Sequence, residues 1–148
     1  MTRFTNILIP TDFSPAAWSA IKYGLRIAKR EPTQLTLLHV YPTSHKKEIL
    51  AGTANPKELR NISEFEDEIQ SLCRHLQPKH KNIKLNCAVK TGDVNQEILQ
   101  HLKEQQCDLI IIGVNSNGHD NKAGKHAAAI LETAEVPVMM VPNKQMEK

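Results

Sequence analysis

Apolar residues fall along the chain in two kinds of run. Ile7-Leu8-Ile9 is short and wholly apolar, and the turn residues Pro10-Thr11-Asp12 stop it. Leu109-Ile110-Ile111-Ile112 is a second such run, closed by Gly113. Runs without polar alternation fit strands covered on both faces, as in a parallel sheet. Residues 34–40 (QLTLLHV), 83–89 (IKLNCAV) and Val136 to Val141 (VPVMMV) are weaker strand candidates, the last with prolines at or near both ends.

Between these runs the apolar spacing lengthens to three and four. After Asp12 and Ser14, Pro15 suits the first turn of a helix that carries Ala17, Trp18, Ala20, Ile21, Leu25, Ile27 and Ala28 and ends by Pro32. A second amphipathic pattern runs from Pro56 to about Leu76 with Leu59, Ile62, Phe65, Ile69 and Leu72. Asp93 caps a third helix bearing Ile98, Leu99 and Leu102, and an alanine-rich fourth spans about Gly124 to Ala134. Residues 41–56 are the most loop-like, with room for a helical turn. The order β-α-β-α-β-α-β-α-β predicts right-handed crossovers and one α/β domain over residues 1–148: a five-stranded parallel sheet flanked by helices on both faces, Rossmann-like in outline.

Length and composition narrow the function. At 148 residues and 40% hydrophobic, the chain can bury one core. Nineteen basic against sixteen acidic residues give a net charge of +3, too balanced for a nucleic-acid surface. Aromatics at 4% are too few for a stacking platform on single strands. No apolar run reaches the roughly 20 residues that span a bilayer. The first residues lack a signal-peptide pattern. Three cysteines, Cys73, Cys87 and Cys107, without a CxxC pair fit reduced thiols in a cytosol, read as small buried hydrophobes.

Candidate chemistry sits where strands end. In an open parallel sheet, ligands bind beyond the carboxyl ends of the strands where the strand order reverses. Three segments reach that edge: residues 10–14 (PTDFS), His39-Val40-Tyr41, and the stretch from Gly113 through Lys125. The last holds Gly113, Gly118 and Gly124 ahead of a helix start, with Lys122 and Lys125 beside them. Glycine permits close backbone approach, and a helix N-terminus attracts anions, so this is the candidate phosphate cradle. An ordinary turn rich in Gly, Asn and Asp is the alternative. A P-loop fails on spacing and on His126 in place of the hydroxyl, and GxGxxG is absent after the first strand. Asp12 either faces a ribose hydroxyl or a metal, or shares with Ser14 the capping of the next helix; local chemistry favours the cap. Trp18 reads as core or interface. The seven histidines show no zinc spacing, no metal site is expected, and no nucleophile–base pair can be argued.

Several blocks together carry a resemblance. Asn6 to Lys22 (NILIPTDFSPAAWSAIK), Leu37 to Pro42 (LLHVYP), Thr91 to Gln100 (TGDVNQEILQ), Asp108 to Gly113 (DLIIIG) and Val136 to Pro142 (VPVMMVP) resemble, in order and over nearly the whole chain, the universal stress protein family. The resemblance implies an adenine-nucleotide α-hydrolase-like fold and a cytoplasmic, non-enzymatic, stress-response homodimer paired through the last strand, Val136 to Val141. An apolar edge strand with Met139 and Met140 suits such pairing. One branch of the family binds ATP through Gly, two residues, Gly, nine residues, Gly, then Ser or Thr. Here Gly113 and Gly124 match the outer glycines, but ten residues separate them, two too few. Ser116 stands at the second glycine and Lys125 at the hydroxyl. By resemblance Pro10, Thr11, Asp12 and Val40 lie on the adenosine side, with Asp12 near the ribose, and Gly113, Ser116, Gly124 and Lys125 hold phosphates. Lys122 and Lys125 can offset the lost groups as point charges. The alternative is an interaction or scaffold module that has lost ATP binding.

Overall fold

The computed structural model describes residues 4–28, 32–52, 61–115 and 122–143. Five parallel strands form one sheet: β1 (Asn6–Pro10), β2 (Thr33–Pro42), β3 (Ile83–Gly92), β4 (Leu109–Asn115) and β5 (Val138–Asn143), in the order β3-β2-β1-β4-β5. The chain builds outward from β1 to β3, then crosses to the other side of β1 for β4 and β5. The strand order therefore reverses between β1 and β4.

Among the described residues five α-helices accompany them: α1 (Pro15–Ile27), α2 (Thr43–Ala51), α3 (Ile62–Leu76), α4 (Val94–Glu104) and α5 (Lys122–Thr133). Alternation along each strand sends side chains to two separate cores. Ile7, Ile9, Leu35, Leu37, Leu109 and Ile111 pack under α1 and α3 against Ile21, Leu25, Ile69 and Leu76. Leu8, Leu38, Ile110 and Ile112 pack under α4 and α5 against Ile98, Leu102, Ala127 and Ile130. The expected sheet with helices on both faces is thus what the chain forms.

The differences are local. Strand β2 extends to Pro42 and β3 to Gly92, so both reach further toward the carboxyl rim than the apolar runs implied. Strand β5 begins at Val138 rather than Val136, although the Pro137 carbonyl already accepts a hydrogen bond from the Ile110 amide. Helix α3 starts at Ile62 after its Asn61 cap, and the start expected at Pro56, with Leu59, lies outside the described residues. The loop-like stretch contains a nine-residue helix, α2. Trp18 is 39% exposed on α1, not in the core.

The largest correction concerns sulfur. Cys73 of α3 and Cys87 of β3, expected as reduced thiols, pair as a disulfide with Cα atoms 6.4 Å apart. Helix α3 runs antiparallel over the edge strand, which brings two residues separated by 14 positions face to face. Cys107 is buried, as expected of a small hydrophobe, and burial beside Asp108 pushes its thiol up to about 11.

Candidate functional site

Between β1 and the helix that follows it, the chain makes a tight turn. The Thr11 amide donates to the Leu38 carbonyl at 2.8 Å, and Thr11 Oγ1 accepts from the Phe13 amide at 3.0 Å. His39 Nδ1 lies 2.8 Å from the Thr11 carbonyl. Two of these contacts join the turn to β2, and the third closes the turn on itself. Phe13 takes a left-handed φ of 64°, a costly conformation for a bulky residue. Asp12 Oδ1 accepts from the Ser14 amide, while Ser14 Oγ accepts from Ala17 and caps α1. Ser14 is therefore the cap, and the exposed Asp12 carboxylate stabilises the turn with one oxygen.

This turn opens onto a cavity of about 680 Å3 at the carboxyl ends of β1 to β4. Of the expected site residues, Pro10, Thr11, Asp12, Val40 and Gly113 all line it. The rim formed by Asp12 and the β4 end is thus one shared hollow. Ser116 lies outside the described residues. Gly124 and Lys125 belong to the first turn of α5, and nothing of their side chains is described.

Gly113 has a packing reason that its sequence position did not reveal. A Cβ there would fall onto the backbone carbonyl of Ala16. Its bare Cα lets the start of α1 sit directly against β4. That requirement stands whether or not a ligand approaches it.

The cavity also reaches further across the sheet than expected. Gly92 and Asp93, at the end of β3, line it together with Val94 and Ile98 of α4. Asp93 also caps α4 through the Gln96 amide at 3.1 Å. The rule that located the other strand ends applied equally to this one, so its Gly-Asp pair was a usable signal. From the other face, Phe65 of α3 enters the wall. Its ring stacks on Phe13 at 5.6 Å and contacts His39 at 4.4 Å and Tyr41 at 5.8 Å. Phe65 looked like an ordinary core position of an amphipathic helix, since no local pattern separates a residue under the sheet from one at its rim.

Chemically the hollow is mostly apolar, with two carboxylates, Asp12 and Asp93, at its edge. Among the described residues that line it there is no Lys or Arg. In sequence, Lys122 and Lys125 fall in the first turn of α5, the element that follows β4. Among the described residues no group of three or more His, Cys, Asp or Glu is arranged to hold a metal ion.

The model of the universal stress protein family matches residues 3–142. The chain is 26% identical to universal stress protein MJ0577 of Methanocaldococcus jannaschii, over 95% of this chain and 96% of that protein. The solved structure of MJ0577 superposes with a TM-score of 0.76 at 22% identity, covering 98% and 100% of the two chains. A universal stress protein solved in complex with cAMP superposes at 0.64 with 15% identity, covering 97% and 100%. One from Arabidopsis thaliana with AMP bound superposes at 0.60 with 19% identity, covering 95% and 93%.

Proposed function

The chain belongs to the universal stress protein family, and on that premise we propose that it binds an adenine nucleotide, without turning it over, in the cavity at the carboxyl rim. The observation that carries this reading is the convergence of Pro10, Thr11, Asp12, Val40 and Gly113 on one hollow. The apolar lining from Val40, Ile98 and Ile112 suits a purine face, and Asp12 suits a ribose hydroxyl. Gly113, Ser116, Gly124 and Lys125 then meet the phosphates, at the N-terminal end of α5. Structural relatives with cAMP and AMP support an adenine ligand.

On this reading the protein acts as a stress-response binding protein in the cytoplasm, as the family resemblance implies. Two copies pair through β5, whose Met140 is 39% exposed on an edge strand. Mass spectrometry of small molecules released from freshly purified protein tests the ligand directly. An adenine nucleotide is the expected species. Its absence, with no heat of binding to AMP, cAMP or ATP, would overturn the reading. In titrations that do show binding, Lys125→Ala weakens ATP and leaves dimerisation intact; an unchanged affinity removes Lys125 from the site.

A specific feature favours a second reading. The segment between Gly113 and Gly124 is two residues short of the ATP-binding pattern, and the described rim carries two carboxylates, Asp12 and Asp93, and no Lys or Arg. An interaction module on the same fold would keep the hollow and ignore nucleotides in the same titrations.

A further inference from the structure

We infer that Cys73 and Cys87 form a reversible thiol–disulfide site that sets how firmly α3 closes the cavity. Helix α3 carries Phe65 in the cavity wall near its first turn and Cys73 two turns later. Its far end is anchored on β3 through Gln77. The Gln77 side chain donates to the Ile83 carbonyl at 2.7 Å and accepts from the Leu85 amide at 2.9 Å. The disulfide lies between that anchor and the rim. With the bond closed, the helix is pinned to β3 two residues further along the strand, and Phe65 is held against Phe13 and His39. With the bond open, the rim half of α3 keeps only Ile69 buried under it, with Leu72 and Phe65 half-covered.

Two features suit this pair to redox chemistry. Its Cα separation of 6.4 Å falls within the span a disulfide bridges. Both cysteines are half-buried rather than enclosed, so a small oxidant or thiol can reach them. Cys107 supplies the contrast, being buried with its thiol held up to about 11 and therefore unreactive. The oxidant is a peroxide. One thiolate sulfur takes one peroxide oxygen as the O–O bond breaks, giving a sulfenic acid while the other oxygen leaves as water. The second sulfur then forms the S–S bond and expels a second water. A small-molecule thiol reverses the step by disulfide exchange.

The consequence for ligand rests on the proposed nucleotide function; the movement of α3 does not. Full-length protein is prepared oxidised with limiting hydrogen peroxide and reduced with dithiothreitol. Free thiols are counted after unfolding, amide exchange over residues 62–76 is followed, and AMP affinity is titrated. The expected result is one thiol in the oxidised form and three in the reduced form. Amides at the rim end of α3 should exchange about tenfold slower in the oxidised form, and AMP should bind about threefold tighter to it. Cys73→Ser and Cys87→Ser, each treated with peroxide, should match the reduced protein. Three thiols after peroxide, or equal exchange in both forms, would overturn the inference. A difference in exchange with identical AMP affinity would overturn the link to the cavity. Should AMP bind neither form, the nucleotide reading falls, and the exchange data alone decide the redox site.

Discussion

The cavity has a floor and a wall, and they are built from different materials. The floor, at the ends of β1 and β4, is backbone packed on backbone. Gly113 lies against the Ala16 carbonyl, and the Thr11 turn is hydrogen-bonded to β2 at its amide and its carbonyl while its hydroxyl accepts from the Phe13 amide within the turn. The wall, at the β3 side, is a half-buried helix held by rings, by Ile69 and by one disulfide. Backbone packing tolerates almost no adjustment, because close-packed atoms have nowhere to move. Side-chain packing at an edge can give. The molecule therefore fixes the polar geometry of its cavity and leaves the closure of that cavity adjustable.

The sharpest way to break this contrast is at the floor. Gly113→Val places a branched side chain where the Ala16 carbonyl already sits, so α1 must lift from β4. The expected loss is about 3 kcal/mol or more, read from the midpoint of urea unfolding. A loss near zero would mean that α1 shifts freely and that the floor is as soft as the wall.

Opening the disulfide comes next. Its loop closes over a separation of 14 residues, and constraining the unfolded chain over such a loop is worth about 3 kcal/mol at most. Reduction should therefore lower Tm without changing the fold, and Cys87→Ser should reproduce the shift. An equal Tm for both forms would show that the bond adds nothing to the wall. Phe65→Ala acts at the same wall from inside the cavity. It removes one half-buried ring, so stability should fall by only about 1–2 kcal/mol. The expected drop in AMP affinity is about fivefold. A variant with full affinity would confine recognition to the floor.

The floor was largely legible in the sequence and the wall was not. Ile7 to Ile9 and Leu109 to Ile112 are apolar without alternation, which only a strand covered on both faces explains, and each ends in residues that must turn. The strand ends at Asp12, Val40 and Gly113 thus fall on one rim from the sequence alone. The wall depends on contacts between segments. No spacing links Cys73 to Cys87, and the position of Phe65 at the rim is set by where α3 crosses β3. Helix α2 was obscured for another reason: TSHKKEILA has too few apolar positions to show a helical face. Of the two readings of Trp18, core or interface, its exposure on α1 removes the core one.

The smallest expected effect separates the two faces of the wall. Across the sheet from α3, the cavity is bounded by α4, which buries His101 with neither ring nitrogen hydrogen-bonded among the described residues. Burial holds this histidine below its ordinary range, Lys90 of β3 pushes the same way, and Glu104 on the same helix opposes them. Lys90 and Glu104 are themselves 3.7 Å apart, so their charges partly cancel. The folded protein then resists taking a proton that the unfolded chain accepts near pH 6.5. Above that pH both states are neutral at this site and stability does not depend on it. As pH falls below it, the unfolded chain gains protons first and stability declines, until His101 charges in the folded state as well. Urea midpoints at pH 7.5 and 5.5 should therefore differ more for the wild type than for His101→Leu, which fills the same space with no group to titrate. If the two proteins lose the same stability between those pH values, α4 carries no proton-sensitive contact, and the adjustable part of the cavity is α3 alone.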